Sequence, residues 1–249
     1  MNDNHFKFTP QVLLLPFFSV LAIWTVFWAE IRFGFDFGHY GILPRTFEGL
    51  RGIVLSPFLH GNIDHLYSNT IPLLILLAAL SYFYRELALK VLVFGILLSG
   101  LLTWIIGREN YHIGASGLIY VLVGFIFFKG IMTKYYRLVA LSLTVILLYG
   151  STAWYIFPHI DDSISWEGHL AGLIAGFVFA VYLKTPEYKK LIRYEWEKPD
   201  YNPENDKFMQ RFDADGNFVN LPPPEPEIVP ENDLPFYTYT FIPKEKQEE

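Results

Sequence analysis

The sequence predicts an all-α membrane protein, a bundle of six transmembrane helices with a long loop between the first and the second. Two observations carry that prediction. Of the 249 residues 52% are hydrophobic, 18% are aromatic and only 18% are charged, an apolar balance beyond that of an ordinary soluble domain. Apolar segments at about 11–29, 66–84, 88–106, 116–133, 138–157 and 169–184 each approach the roughly 20 residues a helix needs to cross hydrocarbon.

Residues 1–10 read as a short N-terminal arm. The first apolar segment holds Trp24 and Trp28, exceeds the ~7–15 residues of a signal-peptide core and lacks a small-residue exit, so it reads as a retained helix. Residues 30–64 are too long for a tight turn. Their aromatics (Phe33, Phe35, Phe37, Tyr40, Phe47, Phe58) suit a loop packed at the membrane interface. Basic residues orient the remaining segments. Lys7, Arg85, Lys90, Lys129, Lys134, Arg137, Lys184, Lys189, Lys190 and Arg193 share one side, against Arg32, Arg45, Arg51 and Arg108 on the other. Both termini are therefore expected in the cytoplasm, in an integral multi-pass protein of a bacterial cell membrane.

The net charge of −6 belongs to the C-terminal part, since residues 186–249 hold 15 acids and 8 bases and residues 1–185 hold 10 and 11. With "LPPPEPEIVPEN" at 221–232, residues 195–249 read as an acidic, proline-rich, disordered cytoplasmic tail of unknown partner. "DADGN" at 213–217 lacks the repeating acidic frame of a calcium loop and reads as a turn. The absence of cysteine excludes disulfides, thiolate metal sites and a cysteine nucleophile.

Chemistry concentrates in "HIGASGLIYVLVG", residues 112–124. Ser116 stands between Gly114 and Gly117 where the fourth segment opens. Free N–H groups and the positive dipole end at a helix N-terminus stabilise an oxyanion forming beside a serine hydroxyl. If Lys129 marks the cytoplasmic interface, the 13 residues from Ser116 to Phe128 span only about 20 Å of a ~30 Å core, which sinks Ser116 about 10 Å below the outer surface. An N-cap serine is the plain alternative.

A serine nucleophile needs a base, and "EGHLAGLIAG" (167–176) offers His169 on the same helix face as Gly172 and Gly176. Gly168, Gly172 and Gly176 recur every four residues, a spacing that lets helix backbones approach closely in lipid. An ionisable group inside a membrane helix is a functional candidate, though an interfacial histidine reaching water reads equally well. In "HGNIDHLYSNTIPLL" (60–74), His65 and Asn69 stand at i and i+4 and leave one face as hydrogen-bond donors. His60 lies about 140° round from His65, which disfavours a metal pair, and no H-E-x-x-H or carboxylate cluster supports zinc.

The ordered set of H-x4-H-x3-N (His60, His65, Asn69), G-x-S-G (Gly114, Ser116, Gly117) with Tyr120, and G-H-x-x-G-x-x-x-G (Gly168, His169, Gly172, Gly176) resembles the rhomboid family of intramembrane serine proteases over residues 11–184. The resemblance implies Ser116 as nucleophile and His169 as base. It also implies an oxyanion hole of His65, Asn69 and the Ser116 N–H, Tyr120 packed on the imidazole, and His60 supporting the loop. Its implied function is cleavage of transmembrane protein substrates within the bilayer near their extracytoplasmic end, with no cofactor, metal or nucleic acid involved. Gly114 and Gly117 would admit the substrate carbonyl and the sixth helix. One departure stands out, Leu50–Arg51 in place of the family's loop Trp-Arg, which bears on the loop's anchoring.

Competing roles remain. His112 is a rival base, and Asp161, Asp162 and Glu167 are accounted for by a solvated outer loop. A client-binding pseudoprotease, or a transporter relaying protons through His65 and His169, are the other readings of the chain.

Overall fold

Long apolar runs without water to bond their backbones must satisfy every N–H and C=O internally, and here they do so as helices. The structure, a computed structural model, describes residues 6–161, 164–186, 194–219 and 239. The helices are α1 (Gln11–Phe33), α2 (Gly52–Leu55, a single turn), α3 (Ile63–Phe83), α4 (Arg85–Ile106), α5 (Ser116–Thr133), α6 (Tyr136–Tyr149) and α7 (Trp166–Tyr182). Among the described residues there is no β-strand, only isolated bridges. Among the described residues, five helical stretches are long and apolar enough to cross a membrane: α1, α3, α4, α5, and α6 with its 3-10 extension to Ile156. With 17 residues, α7 is a shorter apolar helix, about 26 Å long at ~1.5 Å per residue.

Three helices, α3, α4 and α7, begin three residues earlier than their apolar runs suggest, and at α3 and α7 a polar cap precedes the run. The Asn62 side chain accepts the His65 N–H at 2.8 Å and starts α3 at Ile63, and Ser165 accepts the Gly168 N–H at 3.2 Å and starts α7 at Trp166. Each cap draws a histidine into an ordered first turn. At the other extreme Gly34, with φ +67°, ends α1 in the left-handed region, its N–H returning to the Glu30 carbonyl.

The centre of the bundle is α5, which buries 61% of its apolar stretch against 39% or less for the other spanning helices. It packs most extensively on α7, then on α6. Lipid is as apolar as leucine, so this contact is held by close packing of backbones. A Cβ on Gly172 would stand 2.2 Å from the Gly117 carbonyl oxygen, and one on Gly176 would stand 2.5 Å from that of Val121. Only glycine fits at these two crossings. Gly117 itself has room for a methyl, its nearest neighbour being the Gly168 oxygen at 3.4 Å, so the close approach comes from the α7 side.

The long connection between α1 and α3 is ordered by its own polar contacts. Arg51 donates to the His39 carbonyl at 3.1 Å, pairs with Glu48 at 2.7 Å and lies 4.4 Å over the Tyr40 ring, while its neighbour Leu50 is exposed. The loop is anchored without a tryptophan at position 50. Arg45 donates to the Gly107 carbonyl at 2.6 Å, and Trp104 Nε1 donates to the Thr46 carbonyl at 2.8 Å, which fastens the loop to the end of α4. Phe33, Phe35, Phe37 and Tyr40 form a file of rings in mutual contact.

By contact the chain divides into Met1–Lys190 and Leu191–Glu249. In the second unit residues 213–217 form a turn: Asp213 Oδ1 accepts the N–H groups of Asp215 and Asn217, and Phe212 bridges to Phe218. The proline-rich run at 221–232 lies outside the described residues.

Candidate active site

Ser116 is the first residue of α5, and the loop that delivers it is pinned from both sides. Ile42 and His112 exchange backbone hydrogen bonds at 3.0 and 2.9 Å, and the Gly114 N–H donates to the Ser56 carbonyl at 2.9 Å. Gly114 takes φ +108°, which only glycine adopts readily, and a Cβ there would stand 2.5 Å from His65 Nε2. The glycine thus seats His65 against the serine loop.

A cavity of about 690 Å³ opens above this loop, lined by Ser116, His169, His65, Asn69 and the exposed rim residues Asn62 and Asp64. Four residues from three helices and widely separated stretches of sequence share it. Asn69 is buried and gives one amide hydrogen to the His65 carbonyl at 2.9 Å, which leaves a second to donate. His60 is buried behind them with its ring 5.0 Å from that of His65.

Orientation of His169 is decided by a group invisible in the sequence. Its Nδ1 lies 3.0 Å from the carbonyl oxygen of Tyr155, which can only accept, so Nδ1 carries the proton and Nε2 of the neutral ring is the free base. Tyr120 stacks on the imidazole at 4.3 Å and 15°, and its hydroxyl donates to the Thr152 carbonyl. Both carbonyls come from the 3-10 segment Gly150–Ile156. Among the described residues no hydrogen bond joins Ser116 to His169, as is common before substrate draws such a pair together.

His112, the rival base, is engaged elsewhere. Its Nε2 donates to the Arg108 carbonyl at 3.0 Å and its Nδ1 meets the Ser165 hydroxyl at 2.6 Å, so neither nitrogen faces Ser116. Burial holds its pKa below the ordinary value. Glu167 corrects the expectation of a solvated carboxylate: it is 1% exposed and accepts from Arg108. Lys129 turns inward, Nζ donating to the Ala180 and Leu183 carbonyls at the end of α7, and α5 runs one turn beyond it to Thr133. With 18 residues, α5 is about 27 Å long, so the helix's shortness does not set the depth of Ser116.

Residues 48–186 match the Rhomboid domain, more than half of the chain. The chain belongs to the rhomboid family. It is similar to an uncharacterized protein of Mycobacterium tuberculosis, 38% identical over 162 residues, covering 60% of this chain and 65% of the relative. A Mycobacterium bovis protein matches to the same extent. An uncharacterized Mycobacterium leprae protein is 34% identical over 191 residues, covering 72% of this rhomboid and 73% of the relative. The chain therefore spans about 65% of the length of the first two relatives.

In this rhomboid, burial, then the charge of His65, hold the His60 pKa at about 4. A histidine depressed in the folded state binds fewer protons than its unfolded counterpart between pH 6.5 and 4, so its stabilising contribution is complete above that window and is lost as pH falls through it. We expect the fold to weaken by on the order of 2 kcal/mol between pH 7 and pH 5 from His60 alone. Thermal unfolding in detergent across that range checks this, and His60→Asn should flatten the slope.

Proposed function

We propose that this rhomboid is an intramembrane serine endopeptidase in a six-span membrane domain with cytoplasmic termini, acting through Ser116 and His169. The observation that carries the reading is the His169 tautomer fixed by the Tyr155 carbonyl, which leaves Nε2 as an acceptor beside the cavity that Ser116 shares.

The chemistry follows from those positions. His169 Nε2 takes the Ser116 proton as Oγ attacks a peptide carbonyl, and the tetrahedral oxyanion is met by the Ser116 N–H at the start of α5, Asn69 Nδ2 and His65. Protonated His169 then delivers its proton to the leaving amine, and water releases the acyl-enzyme by the same steps in reverse. Tyr120, stacked on the ring, keeps the imidazole in plane through this cycle.

The deciding experiment is labelling of purified protein with a fluorophosphonate. Modification of Ser116, lost in Ser116→Ala and His169→Ala, supports the protease; an unlabelled wild type overturns it in favour of a client-binding pseudoprotease. Because removing one oxyanion donor costs about 10²–10³ in rate, Asn69→Ala should lower kcat steeply with little change in KM. If it slows hydrolysis by less than a few-fold, Asn69 does not serve the oxyanion.

Substrates are expected to be single membrane spans cut near their extracytoplasmic end. A helix must unwind into the aqueous cavity before its carbonyl is open to attack, so Gly or Pro near the cut lowers the cost. Replacing those residues by Leu should suppress cleavage, as read by product mass spectrometry.

A further inference from the structure

The loop that delivers Ser116 and the helix that carries His169 are joined by a chain of partly buried polar contacts that the mechanism leaves unused. The Arg108 N–H donates to Glu167 Oε1 at 3.1 Å, and Arg108 Nε lies 3.4 Å from the same oxygen. The other arm of the guanidinium reaches the Ile164 carbonyl. His112 Nε2 donates back to the Arg108 carbonyl, and His112 Nδ1 receives the hydroxyl of Ser165, whose oxygen caps α7 through the Gly168 N–H. The Arg108–Glu167, Arg108–Ile164 and His112–Ser165 contacts run between residues 108–112 and residues 164–168.

We propose that Arg108 and Glu167, with His112 and Ser165, form a strut that sets the spacing of nucleophile and base. The proposal rests on the protease reading of Ser116 and His169. Two features favour it over a passive ion pair. Glu167 is buried two residues before His169, whereas the pairs Arg45–Glu109 and Arg51–Glu48 are exposed. Glu167 Oε2 has no hydrogen-bond partner among the described residues, so its charge is stabilised through Oε1, by Arg108 and by the N-terminal dipole of α7. A buried carboxylate so dependent on one cation makes any slip of the loop away from α7 costly. Nucleophile and base thus move as one body. Misplacement of reacting groups by about 1 Å costs on the order of 10²-fold in rate, and Arg108 and Glu167 act as positioning residues against that loss.

The test uses the full chain in detergent. Arg108→Ala should lower kcat by about 10–100-fold with KM within about two-fold, and adding Glu167→Gln should restore part of the loss, because the neutral amide needs no counter-charge. With no native cysteine, nitroxides at Glu109→Cys and Ile174→Cys report loop against helix without reference to activity. Their distance distribution should broaden in Arg108→Ala and narrow again in the double variant. Unchanged kcat, or an unchanged distribution, overturns the strut. If Arg108→Ala does not fold, Arg108→Lys keeps a cation for Glu167 but cannot bridge to Ile164, and the same fall in kcat and broadening are expected. Absence of fluorophosphonate labelling in the wild type would instead remove the protease reading, while the distance measurement still reports on the strut.

Discussion

Ser116→Ala and His169→Ala are each expected to reduce cleavage of a membrane substrate by about 10⁴-fold or more, the loss that follows when a proposed nucleophile or its base is removed from a unit that works only when complete. Combining them should cost little beyond either alone, since neither residue has a function without the other. Both variants should unfold near the wild-type temperature in detergent: Ser116 makes no side-chain hydrogen bond among the described residues, and His169 gives up one bond to the Tyr155 carbonyl and its stacking on Tyr120. His112→Ala provides the contrast. It breaks contacts to Arg108 and Ser165, so it should lower thermal stability more than His169→Ala and activity far less. Near wild-type turnover in either Ser116→Ala or His169→Ala would end the dyad.

Gly172→Ala is expected to be the more disruptive of the two single methyls at the α5–α7 glycine crossings. The added carbon would sit 2.2 Å from the Gly117 carbonyl oxygen and 2.9 Å from Tyr120 Cβ, so α7 has to back away from α5 along the contact that holds His169 against Tyr120. Neither neighbour is a flexible side-chain end, and strain of this kind costs about 1–3 kcal/mol or more. Gly117→Ala, on the opposing helix, should be neutral or gain up to ~1 kcal/mol, because alanine is the better helix former and the space is open. Thermal unfolding of the two variants side by side checks the asymmetry; equal losses would mean that the helices yield symmetrically at this crossing.

Much of this molecule was legible before its structure. Hydropathy located the helices, because a backbone in hydrocarbon has no alternative to internal hydrogen bonding. Residue types at helical spacing then marked one face each on α3 and α7, His65 with Asn69 and His169 with Gly172, while Ser116 stood out by its flanking glycines and Tyr120 only through the family resemblance. The helix starts were misplaced where polar caps, Asn62 and Ser165, lay outside the apolar runs. The partners of Lys129 were not legible for a related reason. Its ammonium is satisfied by the carbonyls at the end of a neighbouring helix, partners fixed only by packing.

By itself the sequence determined the class of the fold, the family, and which side chains are candidates for the chemistry, since each follows from residue type and local period. The tertiary structure alone decided what orients them. The carbonyls of Tyr155 and Thr152, the Ile42–His112 bridge and the Ser56 carbonyl are backbone groups, present at every position and so without signature in a sequence. The pairing of Arg108 with Glu167 joins residues 59 apart. The burial of Glu167 beside the partly exposed Arg108 converts a carboxylate that reads as surface into a linkage between the serine loop and the histidine helix, because only the folded chain removes water from the carboxylate.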